Sequence, residues 1–145
     1  MKTLNKTSVL LVEDDVDMRN TISENLKAVD YKVYATRRSI EGLELFKKYD
    51  VDICILDVEM TGMDGFALAA QIRMLNPDMP VIFLVSKGLF LNLLKDFEYG
   101  VDDYITKPFQ IREVMARIKA NLRKAELNSN IDYMNNKKNE EKNDI

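Results

Sequence analysis

Short apolar runs alternate with longer stretches in which apolar residues return every three or four positions. The runs are Val9-Leu10-Leu11-Val12, residues 31–35, Ile53-Cys54-Ile55-Leu56, Val81-Ile82-Phe83-Leu84 and Asp103-Tyr104-Ile105. Their length and β-branched content predict strands. After the first run, Met18, Ile22, Leu26 and Val29 keep helical spacing. Ser39 is expected to cap a second helix with Ile40, Leu43 and Phe46 on one face. Asp64-Gly65 opens a third, with Phe66, Ala69, Ile72 and Leu75, and Asn76-Pro77 ends it. Residues 88–99 read as a fourth helix, stopped by Gly100. Ile111, Val114, Met115, Ile118 and Leu122 mark a fifth. Five such repeats predict an α/β fold, a doubly wound parallel sheet, with strands two to four buried on both faces. From about Glu126 the chain turns rich in Asn, Lys and Glu. The expected organisation is a domain over 7–124 and a polar linker or tail over 125–145.

The strand ends carry the chemistry. The first run stops at Glu13-Asp14, the third at Asp57, the fourth at Val85-Ser86 and the fifth at Thr106-Lys107-Pro108. Open α/β sheets bind ligands at that carboxyl edge. Three acids brought together repel unless a cation neutralises them. Oxygen donors without histidine or cysteine suit a hard ion such as Mg²⁺. A carboxylate can itself attack a phosphoryl group, and Lys107 would offset the charge on its oxygens. Taken alone, Glu13-Asp14 is equally well a solvated loop that caps a helix, and Lys107 an ordinary loop lysine. Their combination with Asp57 favours phosphoryl transfer.

Composition narrows the choice further. The 145 residues are 46% hydrophobic, enough for one core, and the net charge is −3 with no basic stripe, so no DNA contact is expected within this chain. There is no histidine, which removes histidine bases and ligands. The single cysteine, Cys54, lies inside an apolar strand and reads as a core residue rather than a reactive thiol. No run approaches membrane-spanning length, so no membrane contact and a cytoplasmic location are expected.

Three motifs resemble a known family. Val12-Glu13-Asp14-Asp15, the stretch from Leu56-Asp57-Val58-Glu59 to Met63-Asp64-Gly65, and the stretch from Gly100-Val101-Asp102-Asp103 to Lys107-Pro108-Phe109 are similar to those of response regulator receiver domains. The closing motif is closest in style to receivers of winged-helix transcription factors. The resemblance covers residues 7–124. It implies a flavodoxin-like sheet in the order 2-1-3-4-5 and a sensor histidine kinase as phosphodonor. Asp57 is the implied phosphoacceptor. Asp14 and Asp57 would hold Mg²⁺, with the backbone carbonyl of Glu59 and with Glu13 acting through a water. Lys107, before a cis proline, would contact the phosphoryl group. Tyr104 matches an aromatic switch, although it also reads as a half-exposed strand tyrosine. The protein would catalyse only its own phosphoryl transfer and dephosphorylation.

The chain departs from the pattern in places. Val85 stands where the family supplies a hydroxyl, and Ser86 follows by one, on the opposite strand face. The Ser86 N–H is a candidate donor to the phosphoryl group. Glu59 and Lys87 are expected either to pair across the site or to remain solvated. On the fourth helix, Leu89, Leu91 and Leu93 form an expected outward apolar patch. With Asp102, Glu113, Arg117 and Lys124 they outline a face of helix 4, strand 5 and helix 5 for a homodimer or an effector. Leu93 replaces the basic partner expected for Glu113. Two alternatives remain: a receiver-like module that binds partners without phosphorylation, and an Asp-nucleophile phosphatase, whose Asp-x-Asp pattern Asp57-Val58-Glu59 matches poorly.

Overall fold

A computed structural model describes residues 6–93 and 103–143. Its five strands are β1 (Ser8–Val12), β2 (Lys32–Thr36), β3 (Ile53–Asp57), β4 (Val81–Ser86) and β5 (Asp103–Lys107). All pair in parallel, in the order β2-β1-β3-β4-β5. The helices are α1 (Val16–Ala28), α2 (Ser39–Lys48), α3 (Gly65–Leu75), α4 (Lys87–Leu93) and α5 (Ile111–Asn143). The expected fold class and strand order are therefore the observed ones.

Side-chain alternation splits the core in two. Val9, Leu11, Ile53, Ile55, Ile82, Leu84 and Ile105 face Ile22 and Leu26 of α1 and Val114 and Ile118 of α5. Leu10, Val12, Cys54, Leu56, Val81, Phe83 and Val85 face α3, with α2 and α4 packed beside it. Strands β1 and β3 are buried along their whole length, as is β4 up to Val85. Burying each large side chain contributes about 1.5–3 kcal/mol.

Three expectations need correction. Strand β2 is not buried on both faces. It lies at the sheet edge, with Lys32 and Ala35 exposed, and a charged lysine there discourages further pairing. Ser39 does not cap α2. It is the first helical residue, Arg38 precedes it without a side-chain cap, and the Ser39 hydroxyl donates to the Met63 carbonyl at 2.6 Å. Ile40 points outward, 65% exposed, so α2 packs through Leu43, Leu45 and Phe46 instead.

Other boundaries follow their sequence signals. The Asp15 carboxylate accepts the Met18 N–H at the start of α1, and the Asp64 carboxylate accepts that of Ala67 at the start of α3, both at 2.8 Å. Asn76 ends α3. Helix α5 continues through the polar segment to Asn143, over 33 residues. The C-terminal part of the expected fourth helix lies outside the described residues.

Candidate functional site

Continuing the strand alternation past the core places Glu13, Asp57 and Lys107 on the α1/α5 face of the carboxyl edge. Glu13 follows Leu11, Asp57 follows Ile55 and Lys107 follows Ile105, each by two residues. The structure brings the three together. The Lys107 Nζ lies 2.8 Å from Glu13 Oε1 and 3.2 Å from Asp57 Oδ1. Glu13 is fully buried and Asp57 nearly so. Glu13 Oε2 accepts the Asp14 N–H at 3.0 Å. Its other oxygen has the ammonium as charge partner but no hydrogen bond of good geometry.

The electrostatics follow from this crowding. Burial first, and the facing Asp57 second, push the Glu13 carboxyl up to about 8, against the pull of Lys107. Burial alone would lower the Lys107 ammonium. Glu13 and Asp57 outweigh it and hold Lys107 above its ordinary value. Two buried carboxyl groups thus face one cation.

The chain around the site is fixed by close contacts. Arg19, one turn into α1, donates to the Glu13 carbonyl at 2.8 Å and to the Asp14 carbonyl at 3.4 Å. It braces the acidic loop from outside. Asp14 itself is exposed. Among the described residues no three acidic side chains gather as a ready metal cage. The donor set nevertheless fits a hard divalent cation: all candidate ligands are oxygens, and two carboxyl groups face one another at the buried edge. Gly65 lets α3 approach the end of β3, because a methyl there would run into the Asp57 carbonyl and the Val58 Cα. The Lys107-Pro108 peptide is cis.

The β4 side of the site is built differently. Val85 is fully buried and pairs in register with Thr106. Ser86 resumes the face of Leu84, which is level with Asp57. Its N–H donates to Glu59 Oε1 at 2.9 Å, and its hydroxyl accepts the Leu89 N–H at 3.3 Å. These bonds to Ser86, through its side chain and then its N–H, hold the Glu59 carboxyl below its usual value. Among the described residues Glu59 forms no ion pair with Lys87; of the two arrangements expected, the bridge is not the observed one, and the exposed Glu59 bonds the Ser86 N–H instead. The Glu59 N–H in turn donates to Asp57 Oδ1 at 3.2 Å. Tyr104 lies against the core, with its ring 5.4 Å from that of Phe83 and 6.2 Å from that of Phe90.

The helical face also differs from expectation. Leu89 does not point outward. It is half-buried and packs with Phe90 on the core, whereas Leu91 is 55% exposed. The side chain of Leu93 and the whole of Asp102 lie outside the described residues. Arg117 pairs with Asp103 of its own chain and sits 3.7 Å from Glu113, and Asn121 donates to Asp103 at 2.8 Å. Lys124 is exposed. Cys54 is buried among apolar neighbours, which pushes its thiol far up, as a core residue should show.

Sequence reasoning missed Arg19 and the close approach at Gly65. The first carries no local signal, since an arginine in the second turn of a helix is ordinary. The second was legible only as a helix start.

Comparison with known proteins agrees with the fold and the motifs. The model of the response regulator receiver domain family matches residues 9–119, and the chain belongs to that family. Among curated relatives, the transcriptional regulatory protein RprY of Bacteroides fragilis is 40% identical over 119 residues, covering 82% of this chain and 50% of its own length. The heme response regulator HssR of Staphylococcus aureus is 37% identical over 121 residues, covering 83% and 54%. The chain thus spans about half the length of these relatives. Among solved structures, a receiver domain protein of Methanospirillum hungatei aligns with a TM-score of 0.77, at 24% identity, over 86% of this chain and 99% of that one. A Rhodopirellula baltica chain described as an adenylate cyclase aligns with a TM-score of 0.80, at 25% identity, over 91% and 98%.

Proposed function

We propose that this receiver takes a phosphoryl group from a sensor histidine kinase onto Asp57. The observation that carries the reading is the Asp57 carboxylate at the buried end of β3, 3.2 Å from Lys107 and backed by Glu13. An Asp57 oxygen forms the new bond to phosphorus while the P–N bond of the donor phosphohistidine breaks and its imidazole leaves. Lys107 offsets the charge on the transferred oxygens. Asp14 and Asp57, the Glu59 carbonyl and Glu13 through a water are the proposed holders of Mg²⁺, which supplies further charge neutralisation when bound.

The same reading gives Val85, Ser86 and Tyr104 the task of passing the change to a face of α4, β5 and α5. Leu91, Glu113, Arg117 and Lys124 lie on or beside that face and are its candidate contacts for a second copy or an effector. The printed name of RprY, a transcriptional regulatory protein, supports control of transcription as the output, and the proposed location is the cytoplasm. A second reading, partner binding without phosphorylation, draws on Tyr104, whose ring already rests on Phe83.

Intact mass after treatment with acetyl phosphate and Mg²⁺ tests the first reading. The wild-type chain should gain one phosphoryl group and Asp57→Asn none. An Asn variant labelled at the wild-type rate overturns the assignment.

A further inference from the structure

We propose that the Glu59 carboxylate is a resting occupant of the Ser86 N–H, and that phosphorylation of Asp57 evicts it. The inference rests on the phosphoacceptor reading of Asp57. It gives this receiver a relay that needs no hydroxyl at position 85.

Four contacts form a continuous path. Asp57 Oδ1 accepts the Glu59 N–H at 3.2 Å. Glu59 Oε1 accepts the Ser86 N–H at 2.9 Å. The Ser86 hydroxyl accepts the Leu89 N–H at 3.3 Å, and Leu89 packs on the core beside Phe90. The path therefore begins at the phosphorylated side chain and ends inside α4. Ser86 shares the strand face of Leu84, which is level with Asp57, so its N–H lies beside the space that a phosphoryl group on Asp57 enters.

Charge makes the two occupants compete. The Ser86 N–H is a single donor, and a carboxylate and a phosphoryl oxygen are both strong acceptors for it. Two anions only two residues apart, both beside the same amide, repel each other, and the phosphoryl group is the more highly charged. The phosphoryl group is covalently tethered beside the donor, whereas Glu59 is an exposed side chain free to swing into water. The covalent group wins the donor and Glu59 leaves. Val85, apolar and fully buried, contributes no hydrogen bond to this exchange. In the resting protein the carboxylate stands in for the phosphoryl group and keeps the end of β4 tied to the loop after β3. The eviction releases that tie while the Ser86 N–H remains satisfied throughout.

Hydrogen exchange at the Ser86 amide, read by NMR on the full chain, tests this. The states are resting protein and protein with Mg²⁺ and beryllium fluoride, an aspartyl-phosphate mimic. In wild-type protein Ser86 should be protected in both. In Glu59→Ala it should exchange about tenfold faster or more at rest, as expected for an amide that loses its acceptor, and regain protection with the mimic. Glu59→Gln, which keeps an acceptor oxygen without the charge, should retain part of the resting protection. Resting exchange in Glu59→Ala equal to wild type overturns the occupant. Ser86 left unprotected in Glu59→Ala, with the mimic seen on Asp57 by fluorine NMR, overturns the exchange. Failure of beryllium fluoride and acetyl phosphate to modify wild-type Asp57 at all overturns instead the phosphoacceptor reading on which the exchange depends.

Discussion

At one corner of the sheet edge, Glu13, Asp57 and Lys107 meet through contacts of 2.8 and 3.2 Å, two of them buried and all supplied by strand ends. At the other corner, Val85 is buried and offers no hydroxyl, Ser86 is held by an exposed glutamate, and Tyr104 already rests on Phe83. The first corner holds the residues that the resemblance assigns to capture. At the second, the proposed relay uses a backbone amide in place of a side-chain hydroxyl. Under the proposed function, capture of a phosphoryl group and transmission of its arrival would rest on different parts of the chain, so a change to one should leave the other in place.

Short of removing Asp57 itself, the most damaging change to the capture corner is Lys107→Ala. It leaves two carboxyl groups facing one another without a cation. Phosphoryl uptake at Asp57 should fall about 10²–10³-fold, the loss typical when one group that stabilises a transferring phosphoryl is removed. The fold should survive, because Glu13 can keep a proton up to a pH of about 8. Time-resolved intact mass checks the rate, and circular dichroism checks the fold. Labelling within a factor of two of wild type would leave Lys107 without a role.

Gly65→Ala presses on the same corner from behind. Its methyl meets the backbone of Asp57 and Val58, so α3 or the end of β3 must shift. Urea unfolding should show a loss of about 1–3 kcal/mol, with slower labelling. Unchanged stability would mean that α3 yields freely and that the site is less rigid than its contacts imply.

A pH series separates the corners without mutation. The folded value of Glu13, about 8, lies above its ordinary 4.5. Between those values the folded protein holds a proton that the unfolded chain has released. Metal-free stability should therefore rise as pH falls from about 8 toward 4.5, and this contribution should be lost as pH rises through 8. Mg²⁺ favours the ionised carboxylate, so its affinity should rise over the same range. Calorimetric titration of Mg²⁺ at several pH values, with melts of the metal-free protein, measures both. A flat affinity across that interval would detach Glu13 from the metal.

The smallest effect is expected at the relay corner, from Val85→Thr. The added hydroxyl enters a fully buried site and should cost about 1–2 kcal/mol at rest if it finds no acceptor. With a phosphoryl mimic on Asp57 it gains one, so part of that loss should be recovered. Chemical shifts on α4 and β5 should then move further than in wild-type protein. Equal shifts in the two proteins would show that the backbone route through Ser86 already carries the whole signal.

Much of the capture corner was legible in the sequence because strand ends are legible. An apolar run that stops at an acid or a lysine states both where the strand ends and what it presents. The two-sided burial assigned to strand two failed for a related reason. A run such as Val33-Tyr34-Ala35 reads alike at a sheet's edge and at its centre, and only strand order distinguishes them. Ser39 was misread because a hydroxyl before an apolar helix has two uses, and here it reaches a carbonyl 24 residues away instead of its own helix. The Glu59 bond to Ser86 was beyond sequence reasoning, since a loop glutamate can turn to an amide, a lysine or water. Leu89 was assigned to the wrong face because a seven-residue stretch of α4 containing three leucines and a phenylalanine has no single apolar side.

The length of the fifth helix would make it a lever. Its near part is clasped to the sheet where Arg117 and Asn121 hold Asp103, the neighbour of Tyr104. The 26 residues that follow Arg117 up to Asn143 make an arm of about 39 Å at the usual helical rise of about 1.5 Å per residue. A tilt of about ten degrees at the clasp sweeps the far tip through about 7 Å. Displacements too small to notice beside Tyr104 are thereby magnified with distance along the helix, so long as its backbone remains unbroken.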